Sequence, residues 1–265
     1  MVEPTGLLLD LHHFFGGWSF WVCFTLHCTL AATFAPDLKD KYLLHYWATF
    51  LAGFGGGCLS SLMLMRPDIA PLPLLGDNLE GVIWTITWWI VNYSPFNVVE
   101  RIVKFRPVLT VASMGSSFCR AGLMAARVDL AVKLFPNMLI PPVLLGTVGG
   151  FAGKVFLDIV RGAMGLQPGL SSHEMINPGF IWRSALLGSM GYYGAVHIWE
   201  LASPAEGLAL LRAVLIGHSM LSQIFGMPLD FTKPMAAIGH TCSNVPRPNF
   251  ILANAPSTSN SKKNQ

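Results

Sequence analysis

Apolar residues run through this chain in blocks of about 20, separated by short segments that hold most of the charges. Seven such blocks stand at roughly 15–35, 44–65, 79–95, 107–127, 138–160, 180–200 and 208–227. Each reads as a membrane-length helix, because a closed strand barrel would show short alternating segments instead. The fold class that follows is an all-α membrane protein with seven transmembrane helices. Residues 1–14 carry no Lys or Arg ahead of the first apolar block and no small-residue cleavage site, so the first span is expected to stay. The tail, 228–265, is rich in Pro, Ser, Asn and Lys and too polar to pack, which predicts disorder.

Composition agrees with this pattern: 52% of the residues are hydrophobic, 12% are charged and the mean hydropathy is +0.51, outside the range of soluble domains. The basic loop residues separate by side. With the N-terminus on the non-cytosolic face, Lys39, Lys41, Arg101, Lys104, Arg106, Arg161 and Arg183 share one face with the tail's Lys233, Arg247, Lys262 and Lys263. The other face holds only Arg66 and Lys133 and is acidic, with Glu3, Asp10, Asp68, Asp77, Glu80, Glu200 and Glu206. The positive-inside rule then puts the N-terminus in the lumen and the C-terminus in the cytosol. The net charge of +3 is a vertical dipole and carries no expectation of nucleic acid.

Catalytic chemistry has no foothold. No GxSxG, HExxH or phosphate-loop pattern occurs, so the chain is not read as an enzyme. Cys23, Cys28, Cys58, Cys119 and Cys242 show no CxxC pairing and read as small packing residues. His12 and His13 lack partners at metal-ligand spacing, so no metal site is expected.

Glycines break the apolar pattern at two places. The second span holds Gly53, Gly55, Gly56 and Gly57, and the fifth holds Gly146, Gly149, Gly150 and Gly153 at about the same depth. Corresponding glycine segments suggest two three-helix repeats, 15–95 and 107–200, the second inverted, with the seventh helix at 208–227 added. In such a design Gly-interrupted helices meet at the midplane and line the transport site. Close helix packing through small residues is the bland alternative, and Gly146 with Gly150 fits it. Three consecutive glycines exceed what one packing face needs, which favours a kinked, backbone-exposed pore wall.

Charges inside spans point the same way. Arg120 and Arg127 lie on nearly one face of the fourth span, and Lys154 and Asp158 lie four apart on the fifth. An ionised group at membrane depth faces a cavity, a partner or a headgroup. Arg127, beside Asp129 near the lumenal end, could instead snorkel, and Lys154 with Asp158 could be an interfacial pair. Arg120 lies too deep for that.

The runs "FGGGCLSSLMLMRP" (54–67), "IWTITWWIVNYSPFNVV" (83–99), "FRPVLTVASMGSSFCRA" (105–121) and "GTVGGFAGKV" (146–155) together resemble the trimeric intracellular cation channels. The resemblance implies a seven-span protomer with its own pore, forming a homotrimer in the endoplasmic or sarcoplasmic reticulum membrane. It implies passage of potassium and sodium as counter-ions to calcium release and uptake. The second and fifth spans, bent at their glycines, would enclose the pore. On this reading the pore or hinge residues are Gly53, Gly55, Gly56, Gly57, Ser60, Gly146, Gly149, Gly150, Gly153 and Lys154. Arg120 and Arg127 are the gating or lipid-binding residues, and the bound group to expect is a phosphoinositide or another membrane lipid.

Similar family members in animals carry a Lys four residues before the fourth-span arginine and another three after it; here these are Ser116 and Leu123. That departure weakens the expectation of phosphoinositide binding and leaves the pore reading untouched. A basic residue often found before the fifth-span glycines is replaced by Gly149, with Lys154 expected to take over part of its role. Lys262 and Lys263 resemble a dilysine retrieval signal for the endoplasmic reticulum, against chance basic residues in a polar tail. The rival function is a secondary carrier of small solutes using the same glycine-broken helices.

Overall fold

The computed structural model describes residues 18–66, 72, 76–166, 178–226 and 230–234. Their regular structure is helical: α1 (Trp18–Ala31), α2 (Tyr42–Leu64), α3 (Asn78–Tyr93), α4 (Val98–Lys104), α5 (Arg106–Leu134), α6 (Ile140–Ala163), α7 (Phe180–Tyr193) and α8 (Pro204–Phe225). Short 3-10 turns, Pro36–Leu38 and Pro95–Asn97, precede α2 and α4, and a π-helical turn, Gly194–Ile198, extends α7.

Four of these helices, α2, α5, α6 and α8, are long and apolar enough to cross a membrane. The helices on the expected first, third and sixth spans are shorter, with 14, 16 and 14 residues in α1, α3 and α7. At 1.5 Å per residue they reach about 21–24 Å, short of a hydrocarbon core of about 30 Å. The π turn lengthens α7, and the described residues begin at α1.

Several expected boundaries move for identifiable reasons. The fourth span was drawn to 127, where charge begins, yet α5 continues to Leu134 because those charges find partners in the protein. Tyr192 Oη donates to both carboxylate oxygens of Asp129, at 3.1 and 3.0 Å, and His197 Nε2 lies 2.7 Å from Oδ1. The seventh helix starts at Pro204 rather than 208. Ser203 and Glu206 form a capping box there, each side chain accepting from the other's backbone N–H. Asp77 similarly accepts from Leu79 N–H at 2.8 Å and caps α3. Two acidic residues read from the sequence as one face's charge are thus helix caps.

Residues expected in the tail also pack. Asp230 pairs with Arg183 at 2.5 Å, Arg183 Nε donates to Thr232 Oγ1 at 2.8 Å, and Thr232 is fully buried. Burial raises the Asp230 carboxyl, but hydrogen bonds from Thr232 and the Arg183 charge outweigh it and leave it below the usual range. The described start of the tail is therefore tied to α7.

Two apolar clusters flank the centre. Phe24, Phe50, Phe54, Trp84 and Trp88 fill the space among α1, α2 and α3. Met124, Val128, Ala185, Tyr192, Leu211 and Leu215 do the same for α5, α7 and α8. Between them α2 packs along α6, and α5 packs against α1, α6 and α8. Loop charges tie one end together. Lys39 reaches Glu100 at 2.8 Å, Lys104 reaches Glu100 at 2.6 Å and Arg161 reaches Asp37 at 3.1 Å. These pairs place the α1–α2, α3–α5 and α6 C-terminal segments at the same end.

Candidate functional site

Both glycine clusters lie inside uninterrupted helices. The backbone stays helical through 53–57 of α2 and 146–153 of α6, so the expected breaks are absent. Glycine costs about 1 kcal/mol against alanine in a helix interior but leaves the backbone hydrogen bonds intact. What offsets that cost is close approach. A Cβ on Gly56 would stand 2.0 Å from the Gly149 carbonyl oxygen, and one on Gly153 would stand 2.2 Å from the Ala52 carbonyl oxygen. α2 and α6 therefore touch backbone to backbone.

The α6 glycines serve more than one neighbour. Gly153 looks toward α2, while Gly149 presents its carbonyl oxygen to Gly56 of α2 and its Cα face to Arg127 and Leu123 of α5. Gly146 and Gly150 look toward α5 and α7, where an added Cβ would meet Val128 and Ser189 at 2.6 and 2.7 Å, or Met124 and Ala185 at 2.8 Å. On α2, Gly55 would clash with Phe156 at 2.5 Å and Gly53 with Ala31 at 2.9 Å. Small-residue packing thus accounts for the glycines of the described conformation.

Polar side chains converge on the carbonyls these glycines expose. A helical carbonyl keeps a second lone pair after its backbone bond. Arg120 Nε donates to Gly150 O at 2.7 Å, and its Nη2 donates to Ile181 O at 2.5 Å and to Ser184 Oγ at 2.9 Å. Arg127 Nη2 donates to Gly57 O at 3.3 Å and to Ser61 Oγ at 2.7 Å. Ser60, fully buried, donates to Gly56 O at 2.7 Å and to Gly57 O at 3.1 Å. Both arginines of the fourth span therefore point into the bundle, and Arg127 does not snorkel. They join α5 to the glycine segments of α6 and α2 respectively.

Lys154 stands off this cluster. It pairs with Asp158 one turn along α6, and Asp158 is 1% exposed against 30% for the lysine. Ser116 and Leu123, the two departures on the fourth span, face different neighbours. Ser116 Oγ lies 3.0 Å from His27 Nδ1, while Leu123 Cγ lies 3.5 Å from where a Cβ on Gly149 would be. Lys262 and Lys263 lie outside the described residues.

Sequence reading missed two side chains at this centre. His27 carries no sequence motif, yet its Nε2 is 3.2 Å from Gly53 O. Arg212 on α8 sits over the Phe118 ring, 3.8 Å from its centroid, and is buried. An arginine in the middle of an apolar block is a signal in itself, since cations at membrane depth are costly. Among the described residues no group of three His, Cys, Asp or Glu side chains could hold a metal ion, and Cys23, Cys28, Cys58 and Cys119 are free thiols.

Comparison with known proteins matches this arrangement to one family. The family model "TRIC channel" covers residues 36–224. "Trimeric intracellular cation channel type 1B.2" of Caenorhabditis elegans is 30% identical over 176 residues, 65% of this chain and 54% of that protein. "Trimeric intracellular cation channel type B" of Homo sapiens is 26% identical over 69% of this chain and 61% of its own length. The chain thus spans little more than half the length of these curated relatives. Two solved structures share the fold. A trimeric intracellular cation channel from C. elegans in the absence of Ca2+ gives a TM-score of 0.69 at 22% identity, covering 83% of this chain and 97% of that one. The other, described as "Structural basis for activity of TRIC counter-ion channels in calcium release", gives 0.72 at 16% identity over 82% of this chain and 98% of that one.

Proposed function

The chain belongs to the TRIC channel family, and from that premise we propose that it is a monovalent cation channel, passing potassium and sodium through a pathway inside each protomer between α2 and α6. It is a channel-family protein and not an enzyme. The observation that carries the reading is the contact of the two glycine segments, Gly56 on Gly149 and Gly153 on Ala52, with side-chain donors bound to their carbonyls. A gap too small for one methyl group admits no ion, so the described conformation is shut at this depth. Parting the two helices would line the opening with small residues, glycine carbonyls and Ser60. Those groups can replace the water around a monovalent cation.

On this reading the protomers form a homotrimer in the endoplasmic or sarcoplasmic reticulum membrane, with the N-terminus in the lumen, and carry counter-ion current for calcium release and uptake. Arg120 and Arg127 are gating residues, because each bond they make to a glycine carbonyl must be kept or broken when α6 or α2 moves. Membrane lipid, phosphoinositide included, is the candidate bound group. The solved relatives named as trimeric channels support the assembly.

Reconstitution of the purified protein in planar bilayers tests the proposal. Resolved unitary currents in symmetric potassium are expected, since carrier turnover is far too slow to produce them. Solute uptake without unitary current would put a carrier in the channel's place.

A further inference from the structure

His27, on α1, holds the glycine segment of α2 at Gly53. Its Nε2 is 3.2 Å from Gly53 O and its Nδ1 is 3.0 Å from Ser116 Oγ. A carbonyl oxygen only accepts, so Nε2 carries the hydrogen. In the neutral imidazole Nδ1 is then a bare lone pair, which the Ser116 hydroxyl satisfies as donor. One ring thereby links three helices, α1, α5 and α2. We propose that His27 is a positioning residue for the channel, holding the Gly53 carbonyl in the shut arrangement, and that Ser116 selects the tautomer able to do so. The inference rests on the channel reading above.

Three features keep this link in register. Phe54 meets the His27 ring edge-on, with centroids 5.3 Å apart at 89°, which fixes the ring plane. Gly115, next to Ser116, lets α5 approach α1 so closely that a Cβ there would stand 2.6 Å from Leu26 Cβ and 3.0 Å from the Cys23 carbonyl oxygen. Ala31, one turn beyond His27, closes on Gly53 in the same way.

A partly buried imidazole N–H needs one acceptor, and here it takes a carbonyl of the glycine segment itself. The Gly53 carbonyl already accepts along its own helix, so the imidazole bond is an addition to a group that could do without it. The added bond sits one turn before Gly57, whose carbonyl Arg127 holds. Movement of α2 away from α6 shifts Gly53 O relative to α1 and breaks the His27 bond. Losing one such bond changes a two-state ratio by about fivefold.

Single-channel recording on the full chain in bilayers tests this with three variants. His27→Leu removes both nitrogens and is expected to raise the open-to-shut ratio about fivefold, with unitary conductance unchanged. His27→Gln keeps an N–H donor near the Nε2 position and should return the ratio toward wild type, a rescue that a purely space-filling role would not require. Ser116→Ala deletes only a hydroxyl, so it is the variant to rely on should His27→Leu fail to fold. By freeing the tautomer it should give an intermediate rise. Equal ratios in wild type and Ser116→Ala, or in His27→Leu and His27→Gln, overturn the proposal. Wild-type bilayers with no unitary current overturn the channel reading instead.

Discussion

The Nε–H of Arg120 donates to the carbonyl oxygen of Gly150 across 2.7 Å, so the deepest cation of α5 holds the backbone of a glycine segment. The same guanidinium reaches Ile181 O and Ser184 Oγ on α7, which makes it a three-helix clasp. Its fork geometry serves acceptors in different directions, and a lysine ammonium cannot copy it. Arg120→Ala is expected to cost about 3 kcal/mol, since hydrogen bonds from a charged donor are worth roughly 1.5–3 each and part is recovered by relaxation. Arg120→Lys should recover less than half. If Arg120 gates the channel as proposed, the substitution should also change open probability against voltage in the folded protein. Thermal melts and recordings with and without phosphoinositide read both effects. Superimposable voltage curves would leave Arg120 a structural clasp only.

Gly56 and Gly149 face one another yet should respond very differently to alanine. A Cβ on Gly56 meets backbone, the Gly149 oxygen at 2.0 Å, whereas a Cβ on Gly149 meets the flexible side chains of Arg127 and Leu123 at 3.4 and 3.5 Å and the Leu123 carbonyl oxygen at an ordinary contact distance of 3.8 Å. Gly56→Ala must push α2 and α6 apart, so it should lower the melting temperature by several degrees, an overpacking cost of about 1–3 kcal/mol, and favour the open channel. Gly149→Ala should stay within about 0.5 kcal/mol of wild type. Equal losses in the two variants would mean that the glycines do not work through this contact.

How much of this was legible in the sequence depended on whether the signal was local. Blocks of apolar residues located α2, α5, α6 and α8 and the two glycine segments because length and composition suffice for a membrane helix. A run such as Gly55–Gly57 looks like a helix break, but only the position of α6 shows that its purpose is close approach. Arg120 was picked out by its depth, while its acceptors lie 30 to 64 residues away and no spacing rule reaches them. Asp129 stopped the expected fourth span because Tyr192 and His197, its partners, belong to another helix. His27 was silent for the same reason.

Acid should loosen the end of the bundle that Glu100 ties together. Hydrogen bonds from Lys104 and Lys39 hold its carboxyl below the usual glutamate range. A depressed folded value means that the stabilisation is fully present above the ordinary unfolded value, near 4.3, and is lost as pH falls through the lower folded value. The melting temperature of wild type should therefore fall between about pH 5 and pH 3 more than that of Glu100→Gln, which has no carboxylate left to protonate. Parallel pH profiles for the two proteins would remove the pair from the stability of this end.

If Lys262 and Lys263 are a retrieval signal, changing both to Ser should let part of the protein reach later secretory compartments. Fractionation or imaging of the tagged chain measures this. An unchanged distribution would place retention within the helices.

The last prediction separates the charge of Lys154 from its pairing. Asp158 is buried to 1% exposure and its carboxylate takes the Lys154 ammonium, so the pair is close to neutral as seen from the proposed α2–α6 pathway. For a cation channel the two charges then have unequal consequences when removed singly. Asp158→Asn leaves the ammonium uncompensated beside the pathway. At an effective dielectric near 20, a unit charge one Debye length (about 8 Å) from a passing cation opposes it by roughly 2 kcal/mol, an upper bound once pore water and salt screen it. A severalfold fall in unitary potassium conductance is expected. Lys154→Gln should instead hold or raise conductance, while lowering stability because it removes a cation paired with a buried carboxylate. The double variant should return conductance close to wild type, since the wall is neutral again. That recovery is the decisive measurement. Additive losses in the double variant would show that Lys154 and Asp158 act on folding alone and that the ion passes elsewhere.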